Sequence, residues 1–480
     1  MAHPKALTPL FLTEMWERYG YYIVQGLLVL FLTKQFQYDD HRAFVLVGTF
    51  TAMINILPLL GGVVADRLLG YRYAILIGGC LLCLGYALTA TLHPTIVTLG
   101  LAITIVGNGF LKPNISSYLG EFYTANDPRR DAGFTIFYIG INLGAILSTV
   151  SSGYIQQYFG WHAVFISAAF GMLIAIVSFL LGQDRYADYG LPLQRYQITP
   201  QFLKRFQNKT SLIALLFLII AMCHWLLEKA VIANVLLGMV GICTLLGLIW
   251  LACQQPPEAR NKIIAIVIMV CVSVLFWGLF MQLFFSLSLF IERSVDRTVF
   301  GYQIPTVAFI ALESIFIVIT GPFFAWLWRY LGSHNWDIST PVKFALALMA
   351  VAAATQLLVF AIAQPNLNGL INPLWIVAAY LAVTVGEMLL SPIGLSMVTQ
   401  LAPPHLKGLL MGVWFMGLGF GGWLAGVLAE QAVVPPGVTS LAVIEQVYSV
   451  AFRHYTLLAI AASILVLCLA PSVNRLMGQR

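Results

Sequence analysis

Charge is scarce in this sequence, and the scarcity decides its class. Only 9% of the 480 residues are charged, 60% are hydrophobic, and the mean hydropathy is +0.88. A soluble domain of this length needs far more charge to cover its surface, and no stretch reads as a separate soluble domain. The groupings that metalloproteins and enzymes need are also missing. The eight histidines are scattered, and no paired His or Cys completes a zinc site beside Cys80-x-x-Cys83. That pair admits a redox or metal reading. However, Cys80, Cys83, Cys223, Cys243, Cys271 and Cys468 all lie inside apolar segments, with Cys253 at the end of one, where thiols act as small hydrophobes. No nucleophile–base pair falls at a shared depth, so neither catalysis nor a cofactor is expected. A cleavable signal peptide is not apparent either. The first apolar run starts near Thr8, carries three charges and lacks a small-residue cleavage site.

What the chain has instead is long apolar runs, each near the roughly 20 residues that one bilayer crossing requires. The runs predict spans over 8–32, 43–65, 73–92, 95–118, 132–155 and 161–181. A polar linker with Asp184, Arg185, Asp188, Arg195, Lys204, Arg205 and Lys209 follows. Two spans, 211–227 and 231–253, form a tight pair around Glu228-Lys229. After a second linker, 254–262, come spans over 263–291, 304–328, 344–363, 374–398, 408–428 and 447–469. The fold class is thus an all-α membrane protein of 14 spans: a bundle over 1–182, linkers with an extra helix pair over 183–262, and a second bundle over 263–480. With both termini cytoplasmic, 17 of the 25 Lys and Arg fall on the cytoplasmic side, two (Arg18 and Lys112) lie within the membrane, and six remain outside. The formal charge of +6 therefore reads as positive-inside topology, not as a nucleic-acid surface.

Two six-helix halves joined by a basic linker follow the major-facilitator plan, in which the halves enclose a midplane cavity and expose it alternately to each side. The loop after the second span, Gly61 to Arg72, fits the G-x-x-x-D-R-x-x-G-x-[RK] pattern of that superfamily through Gly62, Asp66, Arg67, Gly70 and Arg72. Asp66 and Arg67 are expected to cap helix ends and bridge neighbouring helices as a cytoplasmic gate.

Charges within spans default to functional hypotheses. Glu14, Glu17, Arg18, Tyr21, Tyr22 and Gln25 share an arc of about 140° on the first span, a stripe unsuited to hydrocarbon and expected to line the cavity. Glu14 and Arg18 are spaced for a salt bridge along the helix, and a static ion-pair staple is the bland alternative. Span four adds Lys112, within Gly107-Asn108-Gly109-Phe110-Leu111-Lys112-Pro113-Asn114. The second half contributes Glu313 and Glu387, with no basic residue at matching depth. One wall of the cavity then carries cations balanced by two glutamates and the other is acidic. Such a field suits a zwitterion with separated ends, and a peptide is one.

These residues resemble the proton-coupled oligopeptide transporter family, a branch of the major facilitators. The family's E-x-x-E-R-F-x-Y-Y stands as Glu14-Met15-Trp16-Glu17-Arg18-Tyr19-Gly20-Tyr21-Tyr22, differing only at Tyr19. Its F-Y-x-x-I-N-x-G stands intact as Phe137-Tyr138-Ile139-Gly140-Ile141-Asn142-Leu143-Gly144. Stretches 110–114, 386–396 and 411–414 are similar too, as is the extra helix pair of bacterial members.

The resemblance implies uptake of di- and tripeptides with protons, in a bacterial inner membrane, by a monomer whose partners are peptide, protons and lipid. It implies that Arg18 and Lys112 hold the peptide carboxylate, Glu387 the amino terminus and Asn142 the backbone. It also implies that Tyr21, Tyr22 and Trp414 line the pocket and that Glu14 and Glu17 are linked to protons. Four positions depart from the family. Gln25 replaces a frequent arginine, and Met281, just before Gln282, replaces a frequent glutamate; the two usual residues pair as an outer gate, which here must close by other contacts. Asn55 replaces a tyrosine, and Glu313-Ser314 an asparagine–proline pair. Glu313 is open to three roles: a proton-coupling acid, a second contact for the substrate amine, or a protonated, hydrogen-bonded carboxyl. Gln25, Asn55 and Gln282 are kept as substrate-contact candidates. Rival readings are another small cargo, such as nitrate or a drug, and a peptide sensor that transports nothing.

Overall fold

The computed structural model describes residues 3–124, 127, 129–186, 209–334, 336, 338–403 and 406–478. Among them the chain is helical almost throughout, and local sequence explains many of the ends. Proline opens α3 (Pro58–Val64), α5 (Pro94–Glu121), α9 (Pro257–Phe280), α12 (Thr340–Ile362) and α13 (Pro373–Leu401) at the first or second helical position. There its missing N–H costs nothing. Asn372 caps α13 by accepting from the Leu374 N–H at 2.9 Å. The remaining helices are α1 (Leu7–Gln35), α2 (Asp40–Ile56), α4 (Tyr71–Thr89), α6 (Arg130–Leu181), α7 (Lys209–Glu228), α8 (Ala230–Cys253), α10 (Ser286–Ser294), α11 (Ala311–Ser333), α14 (Lys407–Ala429) and α15 (Leu441–Met477). A two-residue hairpin pairs Thr298–Val299 with Tyr302–Gln303 in a loop.

Twelve helical stretches among the described residues are long and apolar enough to cross a membrane. One of them contains most of α6, whose 52 residues break at Gly160, where φ is 79°. Only glycine enters that region at little cost, so this stretch holds two of the expected spans. α1 stands outside the twelve, since Glu14, Glu17 and Arg18 lower its hydropathy. Twelve stretches thus stand where fourteen spans were expected, the difference lying in the doubled α6 and in α1.

The chain forms two compact units, Met1–Phe31 with Met53–Ala230, and Leu32–Ala52 with Val231–Arg480. In the first, α4 packs on α5 and α6, while α3 and α7 lie against α5. In the second, α12 packs on α13 and α15, α9 on α14, and α11 on α13. The end of α1 and most of α2 belong to this second unit. Gly48 of α2 and Gly426 of α14 approach until a Cβ on either would lie 3.0–3.1 Å from the other's Cα, a close backbone contact that small residues permit. Linker residues Asp188, Arg195, Lys204 and Arg205 lie outside the described residues.

Candidate functional site

In the first unit the charged stripe of α1 folds into a paired cluster. Glu17 is fully buried, and Glu14 and Arg18 are each 3% exposed, so each charge needs a partner. Arg18 Nη2 donates to Glu17 Oε1 at 2.7 Å, and its Nε donates to Oε2 of the same carboxylate. Nη2 also donates to Asn108 Oδ1 at 3.2 Å, and Asn108 Nδ2 donates to the Ile54 carbonyl at 2.9 Å. Glu14 Oε1 lies 3.6 Å from Arg18 Nε, while its buried Oε2 meets no hydrogen-bond partner. The guanidinium sits 4.4 Å from the Tyr21 ring centroid and Lys112 Nζ 5.4 Å from it, distances at which the ring face attracts cations. Tyr21 hydrogen-bonds Asn55, and Tyr22 packs edge-on against it with centroids 5.2 Å apart.

Glu17 thus takes Arg18 as its partner and leaves Lys112, half-buried, with no ion pair within 4.0 Å among the described residues. The sequence permitted either pairing. Gln25 is buried one turn above Tyr21. Asn142 is buried on α6 and donates Nδ2 to the Tyr138 carbonyl of its own helix at 2.9 Å.

The expected gate loop takes a different form. Residues 65–69 make one π-helical turn on which Asp66 and Arg67 are exposed, and neither bridges to another helix among the described residues. Glycine, not charge, closes this turn. Gly70, at φ 75°, donates its N–H to the Ala65 carbonyl at 2.8 Å. Gly62 faces Pro113 of α5, where an added Cβ would find ordinary contact at 3.9 Å. Arg72 lies 6.0 Å over the Tyr186 ring.

In the second unit, Glu313 near the start of α11 and Glu387 in the middle of α13 lie within hydrogen-bonding reach of each other. Glu313 is 8% exposed and Glu387 half-buried. Trp414 of α14 fits over Gly394 of α13, where an added Cβ would lie 1.9 Å from the indole. G394A is therefore expected to cost about 1–3 kcal/mol by overpacking, read as a lower unfolding temperature. G408A, whose Cβ meets nothing within 4 Å, is the control that should not move.

Gln282 is not free for substrate. It lies in a 3-10 turn, Met281–Phe284, that interrupts the span expected over 263–291, where the broken helix leaves carbonyls to be satisfied. Its Nε2 donates to the Gly278 and Ala425 carbonyls at 3.1 and 3.0 Å, and its Oε1 accepts from Ser286 Oγ at 2.7 Å. The amide braces α9 against α14.

Residues the sequence did not single out join helix ends within the second unit. Asp40, 4% exposed, accepts two hydrogen bonds from Arg293, each 2.7 Å. Arg293 Nη1 also donates to the Tyr448 hydroxyl at 3.0 Å, and the Val434 N–H donates to Asp40 at 3.1 Å. Nearby, Glu292 is shared by Lys34, Thr306 and Arg297, the last at 3.0 Å. Asp40 and Arg293 sit at span ends and read in the sequence as ordinary loop charges. Cys80 and Cys83 form no disulfide, and among the described residues no group of three or more His, Cys, Asp or Glu could hold a metal ion.

Comparison with known proteins agrees with this architecture. The POT family profile (PTR2) matches residues 72–448. The chain is 30% identical over 480 residues to dipeptide and tripeptide permease B of Salmonella typhimurium, covering 100% of this chain and 97% of that one. It is 31% identical over 477 residues to dipeptide and tripeptide permease A of Escherichia coli, covering 98% and 93%. Among solved structures it is similar to a peptide transporter POT in complex with sulfate, with TM-score 0.87, 29% identity and coverage of 99% and 96%. It is also similar to tetrameric PepTSo2, with TM-score 0.84, 30% identity and coverage of 98% and 99%. A polytopic chain with buried charges on α1, matched by this profile over most of its length, belongs to the POT family.

Proposed function

We propose that this protein takes up di- and tripeptides together with protons by alternating access, in a bacterial inner membrane with both termini cytoplasmic. Protons are its coupling ion, and it uses no cofactor. The observation that carries this reading is the α1 cluster. Arg18 is held by Glu17 through two hydrogen bonds, while Lys112 stands beside Tyr21 without an acid inside 4.0 Å among the described residues. An arriving carboxylate meets one available cation and one that must be released from Glu17. When it takes Arg18, Glu17 is left buried without its partner, and uptake of a proton removes the unpaired charge. Peptide and proton then favour each other's binding, and the linkage is reciprocal. Release of the proton at the higher internal pH returns Arg18 to Glu17 and expels the carboxylate.

The second unit carries buried acids of its own. Among the described residues Glu313 and Glu387 have no Lys or Arg within 4.0 Å, and they offer carboxyl oxygens to an ammonium group. A nitrate carrier has no use for such a pair, so the acids favour an amine-bearing substrate.

The test is uptake of a panel of di- and tripeptides into proteoliposomes, with and without an imposed pH gradient. Nitrate and a cationic dye serve as competitors, and counterflow of labelled dipeptide excludes a sensor. Within it, Lys112→Ala is expected to weaken dialanine by about 10- to 100-fold, the loss of one charged hydrogen bond at 1.5–3 kcal/mol. Full activity in that variant removes Lys112 as the carboxylate partner.

A further inference from the structure

We infer that Asn108 is the positioning residue that makes the cargo's hold on Arg18 depend on Glu17, because it occupies the other edge of the guanidinium; this rests on the peptide-transport reading. A guanidinium carries five N–H groups and offers a carboxylate two forked edges, Nε with Nη2 and Nη1 with Nη2. Glu17 fills the first. Its Oε2 accepts from Nε and its Oε1 from Nη2, the latter at 2.7 Å. The second edge needs the remaining N–H of Nη2, and Nη2 also donates to Asn108 Oδ1 at 3.2 Å. Among the described residues Nη2 hydrogen-bonds nothing else.

A proline holds the amide in this sense. In an unbroken helix the Ile54 carbonyl would accept from the N–H of residue 58, but Pro58 has none. Asn108 Nδ2 supplies the missing donor at 2.9 Å. A turned amide would set two acceptors together at Ile54 and two donors together at Arg18. Oδ1 therefore has to face the guanidinium. The backbone beneath the side chain is fixed as well. A Cβ on Gly61 of α3 would overlap the Gly109 carbonyl oxygen, and one on Gly78 of α4 would lie 2.7 Å from that of Gly107. Asn108 itself is fully buried.

A carboxylate entering along the second edge would orphan the Ile54 carbonyl and a buried amide, with nothing there to satisfy them. Entry along the first displaces Glu17, whose lost partner a proton makes good. The other titratable groups around the guanidinium are Glu14 and Tyr21 of α1, Lys112 of α5 and Tyr86 of α4. α6 meets Arg18 with Gly144, which has no side chain to offer. None of these accepts from Nη2. Asn108 is thus what keeps the cargo from sharing Arg18 with an ionised Glu17, a sharing that would bind peptide without taking up a proton.

The experiment uses proteoliposomes and reads the plateau of dialanine accumulation under an imposed pH gradient, alongside counterflow of labelled dialanine. Asn108→Leu keeps the branched shape of the side chain and removes the acceptor. Its plateau is expected to fall from about tenfold per unit of pH difference, the value for one coupled proton, to simple equilibration, while counterflow persists. A merely structural role would slow the approach to the plateau without lowering it. A full plateau in Asn108→Leu therefore overturns the inference, and so does folded but wholly inactive protein. Asn108→Asp keeps an acceptor oxygen beside Nη2 and decides the matter alone if Asn108→Leu does not fold. It is expected to keep the plateau and to bind dialanine about tenfold more weakly, since one more acid competes for Arg18 with a charged hydrogen bond. Loss of its plateau with counterflow intact overturns the inference equally. If the unaltered protein does not accumulate dialanine, it is the peptide reading that fails.

Discussion

Glu17→Gln is expected to abolish concentrative uptake of dipeptide under a pH gradient while counterflow of labelled dipeptide persists. The amide is close in shape to the carboxyl, and Glu14 Oε1, 3.6 Å from Arg18 Nε, leaves the guanidinium a second counter-charge, so the fold is kept. What it cannot do is alternate between an ionised partner for Arg18 and a protonated bystander when a cargo carboxylate takes Arg18 away. Without that alternation the gradient has no hold on the cargo. One coupled proton supplies about 1.4 kcal/mol, or about tenfold accumulation, per unit of pH difference, and in the variant accumulation should fall to simple equilibration. Exchange needs no net proton movement and should survive. Accumulation of dipeptide by Glu17→Gln under the gradient would falsify the assignment and move the coupling to Glu14, whose buried Oε2 meets no partner.

The α1 stripe was legible because three charges within an apolar run have few places to go, and the 3.6-residue period puts them on one face. That Glu17 grips Arg18 more tightly than Glu14 does was not legible. Neighbours in sequence sit about 100° apart on a helix, so spacing alone favoured the pair at four residues. The choice is made by contacts that no period encodes, chiefly Asn108 of α5 accepting from the guanidinium.

The gate loop shows the same boundary from another side. Asp66 and Arg67 invited an electrostatic explanation, whereas the turn closes through the backbone of Gly70. Gln282 was drawn into the binding set by its place beside the missing acid. A break in the helix, invisible in a uniformly apolar run, consumed its amide instead. Glu313 and Glu387 were each recognised as anomalous, yet their pairing across α11 and α13 depends on tertiary register. The same holds for Asp40 and Arg293, which lie 253 positions apart.

That last pair carries the other large effect. Asp40→Asn is expected to loosen the 32–52 segment within the second unit by about 3–5 kcal/mol, the cost of leaving a partly buried charge without its partner. The two 2.7 Å hydrogen bonds form the fork-to-fork geometry that a guanidinium and a carboxylate share and an amide cannot match. With Asn at position 40, Arg293 keeps the Tyr448 hydroxyl at 3.0 Å but loses its counter-charge. Since its side chain is 28% exposed, water recovers part of the loss, which favours the lower end of that range. Hydrogen exchange over residues 36–46 should then speed up by about 100-fold or more, while amides around Glu17 stay unchanged. Lys34→Met is the contrast. Lys34 is 43% exposed in its pair with Glu292, and exposed pairs contribute about 0–1 kcal/mol, so exchange should barely move. The charge-reversed double variant, Asp40→Arg with Arg293→Asp, should recover the ionic part but not the hydrogen bond from the Val434 N–H, which needs an acceptor at position 40. Unchanged exchange in Asp40→Asn would mean that apolar packing, such as Phe44 against Phe285 with centroids 6.3 Å apart, holds the segment by itself.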